Sequence, residues 1–483
     1  MRNNISLSSL LSVCFVFFVI SAKAQQTPAS VDGTWLGTLT VPSGQLRIVL
    51  NITREGNELK ATLDSPDQGV KGIQVGTIRQ TDDELYVDVP SIVGRYNGRI
   101  LDDGNTVYGT WKQGGIDFPL DFHRVDTVRG PNRPQEPKPP FPYNTEEVGF
   151  DNTIDDVYLA GTLSIPRGSG PFPALVLVSG SGPQDRDETI MEHKPFLVLA
   201  DYLTRHGIAV LRYDDRGVGE STGSTSFSTT ADFVKDALAG VDLLKQYHFI
   251  DTTRIGILGH SEGGIVAAMA ASSSDDVAFI VMMAGTGLPG EDILLSQGAL
   301  ILEANGATEQ ELAAYAEFQR RIFEVLKRET DNDNIKVELQ RIMHESLEAM
   351  DEKSLMRSGI PEGHLDSYID MQTQAMLSPW FRYFLTLDPR PYLEQLTIPV
   401  LAIIGEKDLQ VPAVDNLQAI ETALSKNRHH MTRVEMLLGL NHLFQTAETG
   451  SPNEYAAIEE TIAPEALELI SQWISDVTAD GGK

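Results

Sequence analysis

The chain has 483 residues, of which 41% are hydrophobic, and a formal net charge of −30. This length predicts two or more domains, and the apolar content suffices for ordinary globular cores. Because so acidic a surface repels nucleic acids and anionic membranes, we expect neither of them as a partner.

The first residues have the features of a signal peptide. Arg2 gives a positive start, an apolar run covers residues 10–20, and residues 22–24 (Ala-Lys-Ala) form a small-x-small cleavage site. The apolar run is too short to span a bilayer. Residues 1–24 are therefore predicted to be removed, which implies export to the periplasm or the medium without membrane insertion. An uncleaved anchor and a lipid on Cys14 are the less favoured alternatives.

Residues 31–126 are predicted to form an all-β domain. Apolar and polar residues alternate over 46–52 and 84–89, and glycine-containing turns separate such runs, as in a small barrel or sandwich. Trp35 and Trp111 lie near the two ends of this region. Large apolar side chains are usually buried, so the core is the favoured place for both, with a ligand pocket as the alternative.

Residues 128–144 are rich in proline and are predicted to form an extended, semi-rigid linker. Strand-like runs then alternate with helix-like runs over residues 145–480. This alternation predicts a mostly parallel sheet with helices on both faces, whose chemistry lies beyond the carboxyl ends of the strands. The predicted strands are 174–178, 209–213, 254–258, 278–283 and 400–404, and the predicted helices are 196–206, 233–247, 414–425 and 465–477.

Residues 288–388 interrupt the alternation, because they show little strand signal and much helical periodicity. Thr308 and Glu311 have the spacing of a capping box, and apolar residues follow at helical spacing. An all-helical insertion between two strands predicts a lid domain.

Residues 259–263 read Gly-His-Ser-Glu-Gly and lie between an apolar strand-like run and a helix-like run of small residues. A strand, G-x-S-x-G and a helix form the context of a nucleophile elbow, in which glycines permit a sharp turn that exposes the serine. Ser261 is therefore the predicted nucleophile. His260 is expected to point away from the serine hydroxyl, as a bystander.

A serine hydroxyl needs a histidine to take its proton and an acid to orient that histidine. In an open sheet both are expected after later strands, in the order serine, acid, histidine. Asp408 follows the buried run 400–404 and is the predicted acid, with Glu406 as the alternative. His442 follows the strand-like run 434–438 and is the predicted base, because no other histidine lies at the carboxyl end of a late strand.

Two backbone N–H groups are expected to bind the negative charge that develops on the substrate carbonyl oxygen. One belongs to Glu262, directly after the nucleophile, and the other to Ser181, in the Gly/Ser loop 179–183 after the first parallel strand. The charged clusters 184–188 and 214–221 are expected at the same edge of the sheet. Their favoured role is to hold the loops by ion pairs, and direct substrate binding is the alternative.

Residues 146–477 resemble the α/β-hydrolase superfamily, and within it the EstD-type esterases and the serine-aminopeptidase-like hydrolases. The resemblance rests on the segments 179–187 (SGSGPQDRD), 213–221 (YDDRGVGES) and 259–264 (GHSEGG), and on the loops of Asp408 and His442. It implies an α/β-hydrolase fold, hydrolysis of carboxylic esters without a cofactor, and a triad of Ser261, Asp408 and His442.

These features predict a secreted or periplasmic serine carboxylesterase that acts on a small-molecule ester through an acyl-enzyme intermediate. A serine exopeptidase with the same triad is one alternative, and a non-catalytic binding protein on a hydrolase scaffold is another. The only cysteine, Cys14, lies in the signal segment, and the chain has no H-E-x-x-H motif, so nothing in the sequence indicates a metal site.

Overall fold

The structure, a computed structural model, describes residues 30–41, 44–56, 58–66, 70–113, 116–128, 130–348 and 365–479. The predicted signal peptide and Cys14 lie outside these residues. None of the helices within these ranges is long and apolar enough to cross a membrane.

The first domain is a ten-stranded antiparallel sheet. Its strands are β1 (Gly33–Val41), β2 (Gly44–Glu55), β3 (Glu58–Ser65), β4 (Val70–Gln74), β5 (Thr77–Thr81), β6 (Glu84–Val89), β7 (Gly94–Ile100), β8 (Thr106–Gln113), β9 (Ile116–Pro119) and β10 (Phe122–Val125). In space they follow the order β4-β3-β2-β1-β10-β8-β7-β6-β5, with β9 paired to β8. Because β3 also contacts β5, the sheet curls into a barrel-like shape. Trp35 and Trp111 are buried in its hydrophobic core, which confirms the favoured interpretation of these residues.

The second domain is built on an eight-stranded sheet. Its strands are β11 (Asn144–Asn152), β12 (Val157–Ile165), β13 (Phe172–Val178), β14 (Ala209–Tyr213), β15 (Ile250–His260), β16 (Phe279–Met283), β17 (Val400–Gly405) and β18 (Arg433–Leu437). The spatial order is β11-β12-β14-β13-β15-β16-β17-β18. The neighbours from β14 to β18 are parallel, whereas β11 and β12 add an antiparallel edge. The mostly parallel sheet predicted from the sequence is thus confirmed.

Helices cover both faces of this sheet. They are α1 (Pro195–Arg205), α2 (Thr230–Leu244), α3 (Glu262–Ser273), α4 (Gly290–Ala304), α5 (Glu309–Arg328), α6 (Asn332–Leu347), α7 (Leu365–Met376), α8 (Pro379–Thr386), α9 (Arg390–Leu393), α10 (Ala413–Leu424) and α11 (Pro464–Ala479). Successive residues of β13 face opposite layers: Val176 packs in a core that includes α3, and Leu175 packs in a core with Trp473 of α11. Such strands are buried on both sides, which explains their continuous apolar sequences.

The helices α4 to α9 form the insertion between β16 and β17. They have a hydrophobic cluster of their own, in which Ile322, Leu326 and Leu339 are buried. The capping box predicted at Thr308 and Glu311 is present, since each side chain bonds the backbone N–H of the other residue. The insertion is therefore a small helical body, as a lid domain requires.

The proline-rich linker is docked on the second domain. The Arg133 guanidinium donates to the carbonyl groups of Ala456 and Ile458 at 2.9 and 2.8 Å. The Gln135 amide accepts the N–H of Thr461 and donates to the carbonyl of Ile462, both at 2.6 Å. The linker thus supplies hydrogen-bond partners to backbone groups of the loop 456–462.

Candidate active site

Ser261 lies at the turn between β15 and α3, at the carboxyl end of a central strand. Its backbone has φ 55° and ψ −119°, a strained conformation for a residue other than glycine. A Cβ on Gly259 would overlap the carbonyl group of Gly263, and a Cβ on Gly263 would overlap that of Val178. Only glycine fits at these two positions, and the turn has the geometry of a nucleophile elbow.

Asp408 and His442 contact each other at the same edge of the sheet, beyond β17 and β18. His442 Nδ1 lies 2.8 Å from Asp408 Oδ2, and both side chains are buried. Asp408 Oδ1 accepts the N–H groups of the residues two and three positions later, each at 2.8 Å. With Nδ1 facing this fixed carboxylate, Nε2 is the basic nitrogen of the ring. Glu406, the alternative acid, instead accepts the N–H of Gly439 at 2.8 Å.

Ser261 and His442 have a common neighbour, His260. The ring centroids of His260 and His442 are 4.9 Å apart, and His260 directly precedes the serine. Among the hydrogen bonds between described residues, none joins the Ser261 hydroxyl to His442. Such bonds are often long in unliganded enzymes and tighten when the substrate binds.

Buried amides and an imidazole hold the loop that carries His442. Asn441 Oδ1 accepts two N–H groups of this loop, one of them from Gln445 at 2.9 Å. The Gln445 amide nitrogen lies 3.0 Å from His193 Nε2, and His193 Nδ1 lies 2.9 Å from the Thr461 hydroxyl. This buried hydrogen-bond network holds the loop in place on the side that faces the protein interior.

The predicted oxyanion loop, 179–183, lies against the elbow. A Cβ on Gly180 would come within 3.2 Å of the Ser261 Cβ, so the loop approaches the nucleophile closely. Ser181, whose N–H is one of the two predicted donors, is exposed on this loop. The loop and the elbow therefore border one opening to solvent.

Asp215 fixes the two ends of the oxyanion loop. Its carboxylate accepts the Ser179 hydroxyl at 2.8 Å and the N–H of Gln184 at 3.0 Å. Burial raises the pKa of Asp215 to about 8. Arg186 and Asp214 form a two-pronged ion pair beside it, at 3.1 and 2.8 Å. These contacts confirm that the two charged clusters support the loops.

The Glu262 side chain is engaged as well, a role that the sequence interpretation did not assign. Its buried carboxylate accepts the Thr230 hydroxyl at 2.6 Å and the Trp380 Nε1–H at 2.9 Å. Burial raises the pKa of Glu262, and hydrogen bonds from Thr230, Trp380 and the Ser181 side chain oppose this effect. Because Trp380 belongs to α8, the helical insertion and the elbow meet at this carboxylate.

A second buried carboxylate, Glu188, lies on the other side of the elbow. Its Oε1 is 2.8 Å from the N–H of Gly180 and 2.8 Å from His260 Nδ1. His260 Nε2 is 3.0 Å from the His442 carbonyl oxygen. Burial alone would lower the pKa of His260, but the charge and hydrogen bond of Glu188 outweigh it and raise the pKa. His260, interpreted from the sequence as a bystander, thus contacts the main chain of the predicted base.

Neither member of this pair had a recognisable signal in the sequence. Glu188 lies in a loop without a pattern, and it contacts His260 across a separation of 72 positions. His260 is a variable position of the G-x-S-x-G motif, for which the motif specifies no role. Within the described residues, no group of three or more histidine or acidic side chains is placed to hold a metal ion.

The chain matches the family model described as serine aminopeptidase, S33, over residues 192–379, a segment that includes Ser261 and ends before Asp408. It is 32% identical over 322 residues to Esterase EstD of Thermotoga maritima, and the match covers 65% of the length of each protein. It is 30% identical over 132 residues to 2,6-dihydropseudooxynicotine hydrolase of Paenarthrobacter nicotinovorans, covering 27% of this chain and 33% of that relative. Among solved structures, the Pyrococcus furiosus esterase Pf2001 aligns with a TM-score of 0.42 and 16% identity, over 72% of this chain and 98% of that chain.

The family match lies wholly within the second domain, whose mostly parallel sheet carries a serine elbow after β15 and a helical insertion after β16. By its sheet topology the second domain has an α/β-hydrolase fold, and the chain is similar in sequence to the serine aminopeptidase, S33, family and to Esterase EstD.

Proposed function

We propose that the chain is an exported serine carboxylesterase that hydrolyses a small-molecule ester. The observation that carries this proposal is the buried Asp408–His442 pair, 2.8 Å apart, at the sheet edge where Ser261 stands on its strained turn. The relative with 32% identity is named an esterase, which supports an ester as the substrate. The leader-like composition of residues 1–24 supports export.

In the proposed reaction, the Ser261 hydroxyl attacks the acyl carbonyl carbon while His442 Nε2 takes its proton. The N–H groups of Glu262 and Ser181 stabilise the oxyanion of the tetrahedral intermediate. The protonated His442 then donates its proton to the leaving alcohol, which breaks the ester bond and leaves the acyl group on Ser261. A water molecule, deprotonated by His442, attacks the acyl-enzyme; the bond between the acyl carbon and Ser261 Oγ then breaks, His442 returns the proton to Oγ, and the acid is released.

Replacement of the nucleophile tests this proposal. We expect Ser261→Ala to lower kcat on a short acyl ester by at least about 10³-fold, because loss of a nucleophile removes the covalent step. Ser272→Ala is the matched control. It lies near the end of α3, the helix that follows Ser261, and should retain activity near that of the parent. A fluorophosphonate should label the parent at Ser261. Ser261→Ala activity within about tenfold of the parent would refute the proposal, and a parent that resists labelling would favour the non-catalytic binding protein.

A serine exopeptidase is the second candidate, because the matched family model is described as a serine aminopeptidase. An exopeptidase needs a carboxylate for the amino terminus of its substrate. Glu262 is the buried carboxylate next to the nucleophile, but Thr230 and Trp380 already donate to its oxygens. This arrangement favours an uncharged acyl group, and we expect an acyl ester to react faster than the matched aminoacyl amide.

A further inference from the structure

Glu188 and His260 are two buried ionisable side chains that the proposed reaction does not use directly. They are 1% and 4% exposed, although they lie beside a site that opens to solvent. Burial of charge is costly unless each charged atom has a partner. We therefore expect these two side chains to have a role that does not require contact with the substrate.

The protonation state of His260 follows from its two contacts. Nε2 faces the His442 carbonyl oxygen at 3.0 Å, and a carbonyl oxygen can only accept, so Nε2 carries a hydrogen. Nδ1 faces the Glu188 carboxylate at 2.8 Å, which also accepts, so Nδ1 carries a hydrogen too. His260 is therefore an imidazolium, and Glu188 is its counter-charge.

The pair joins the three loops from which the site is built. Glu188 Oε1 accepts the N–H of Gly180, in the oxyanion loop, as well as His260 Nδ1–H, in the elbow. His260 then donates to the main chain of His442, the predicted base. With Glu188 ionised, a doubly protonated ring between this carboxylate and the carbonyl group makes all of these bonds at once.

The loop that carries Glu188 contains three non-glycine residues with positive φ. Glu188, Met191 and Glu192 all have positive φ, at 51°, 52° and 60°. Residues other than glycine adopt this region rarely and at an energetic cost. Such strain persists where the surrounding structure imposes it, and it is common in functional loops.

We propose that Glu188 and His260 are positioning residues for the esterase reaction, because they hold the main chain of His442 and the oxyanion loop in register with Ser261. The inference rests on the proposed function. Neither residue touches the reacting atoms, so their effect is on kcat through the geometry of the base. Misplacement of a catalytic group by about 1 Å can cost on the order of 10²-fold in rate.

Two substitutions of His260 distinguish an effect on the position of His442 from an effect on the stability of the protein. Asn places an amide N–H near the former Nδ1 and keeps the bond to Glu188, but it cannot reach the His442 carbonyl group. Gln places an amide N–H near the former Nε2 and can keep the bond to His442. Both substitutions leave Glu188 without its cation, so both should lower the thermal midpoint by similar amounts.

The experiment compares the parent with His260→Asn and His260→Gln on a short acyl ester. We expect kcat to fall about 30- to 100-fold in His260→Asn, with KM changed by less than about threefold. His260→Gln should retain kcat within about fivefold of the parent, and the rate of fluorophosphonate labelling at Ser261 should follow the same order. His206→Asn, at the exposed end of α1, is the control and should match the parent.

Equal kcat in the two His260 variants would overturn the inference, because a purely structural role predicts no difference between them. If neither variant folds, Glu188→Gln serves instead. It keeps an acceptor for the Gly180 N–H and removes only the charge, so that His260 keeps one of its two hydrogens. We expect a lower kcat with KM unchanged, and parental kcat in that variant would overturn the inference.

The parent protein itself separates this inference from the proposed function. A parent that neither labels at Ser261 nor turns over esters would overturn the proposed function, and the inference with it. A parent that labels and turns over, with His260 variants of equal kcat, would overturn the inference alone.

Discussion

His193 is a buried imidazole behind the loop that carries His442. Its ring is 1% exposed, and Nε2 lies 3.0 Å from the Tyr455 carbonyl oxygen. Burial, and after it the positive charge of Arg133, lower the pKa of His193 to about 4. The folded protein therefore keeps this ring neutral at pH values where the unfolded chain would protonate it.

This shift predicts a specific loss of stability in acid. Between the pKa of an unfolded-state histidine, about 6.5, and the folded value, about 4, the unfolded chain binds more protons than the folded one. The contribution of His193 is thus complete above the unfolded pKa and decreases as the pH falls to the folded pKa, by up to about 3 kcal/mol. We expect the parent to lose more unfolding free energy than His193→Gln over that interval in denaturant titrations. Parallel losses in the two proteins would contradict this assignment.

At the residue scale, chain order was sufficient to predict where the candidate triad residues lie. Ser261 and Asp408 follow buried strand ends and His442 follows the edge strand β18, and the carboxyl ends of parallel strands meet at one edge. Glu188 and His260 could not be predicted, because their roles depend on which atoms meet across loops of irregular conformation. The same holds for the Glu262 carboxylate, whose lid partner lies 118 positions away.

The helix α8 is the element that joins the lid to the site. Its Trp380 donates Nε1–H to both oxygens of the Glu262 carboxylate at 2.9 Å and stacks on Phe384, with ring centroids 5.3 Å apart. Because Glu262 begins α3 and follows the nucleophile, a displacement of its side chain would disturb the predicted oxyanion donor.

Trp380→Phe removes this hydrogen bond and keeps an aromatic ring in place. We expect the free energy of unfolding to fall by about 1–3 kcal/mol, because a buried carboxylate loses a donor. We also expect kcat/KM on a short acyl ester to fall about five- to thirtyfold. Trp473→Phe, in α11, is the matched control: it loses a 2.9 Å bond to the Met431 carbonyl group and should lose stability without losing activity. Equal activity losses in both variants would refute the link from lid to site.

At the element scale, the strands that are buried on both faces were the ones most readily predicted from the sequence. The strands β13 to β17 are buried on both faces, and their apolar runs were visible in the sequence. β11 and β12 were not predicted, although β12 is mostly buried. β11 lies at the edge and exposes most of its residues, so its sequence has no continuous apolar run. The helices of the insertion were expected as a group, but their contact with Glu262 depends on tertiary packing.

For the whole molecule, the docked linker is structurally a part of the second domain. The Gln135 side chain accepts hydrogen bonds from the loop 455–462 and donates one to it. The same loop contacts His193 and Gln445, which lie behind the predicted base. We expect Gln135→Ala to lower the unfolding free energy of the hydrolase domain by about 1–3 kcal/mol, because buried main-chain groups lose their partners.

Loss of fluorophosphonate labelling at Ser261 with increasing denaturant would measure this effect in the hydrolase domain alone. Asn132→Ala is the neighbouring control, because Asn132 bonds an exposed Glu459 side chain at 2.8 Å and should change stability by less than about 0.5 kcal/mol. If the denaturant midpoint for loss of labelling were the same in Gln135→Ala and Asn132→Ala, the linker would not stabilise the hydrolase domain.

The docking of residues 132–135 also determines where this protein could be divided or recombined. A gene segment that begins at β11 would encode every strand of the hydrolase sheet but would omit the residues that complete the 455–462 loop. Limited proteolysis just before the docked segment should release a hydrolase that survives, whereas a cut just after it should yield one that is more easily degraded. In recombined proteins, the hydrolase domain and this proline-rich stretch should therefore be kept as one unit, with the β domain as the exchangeable part.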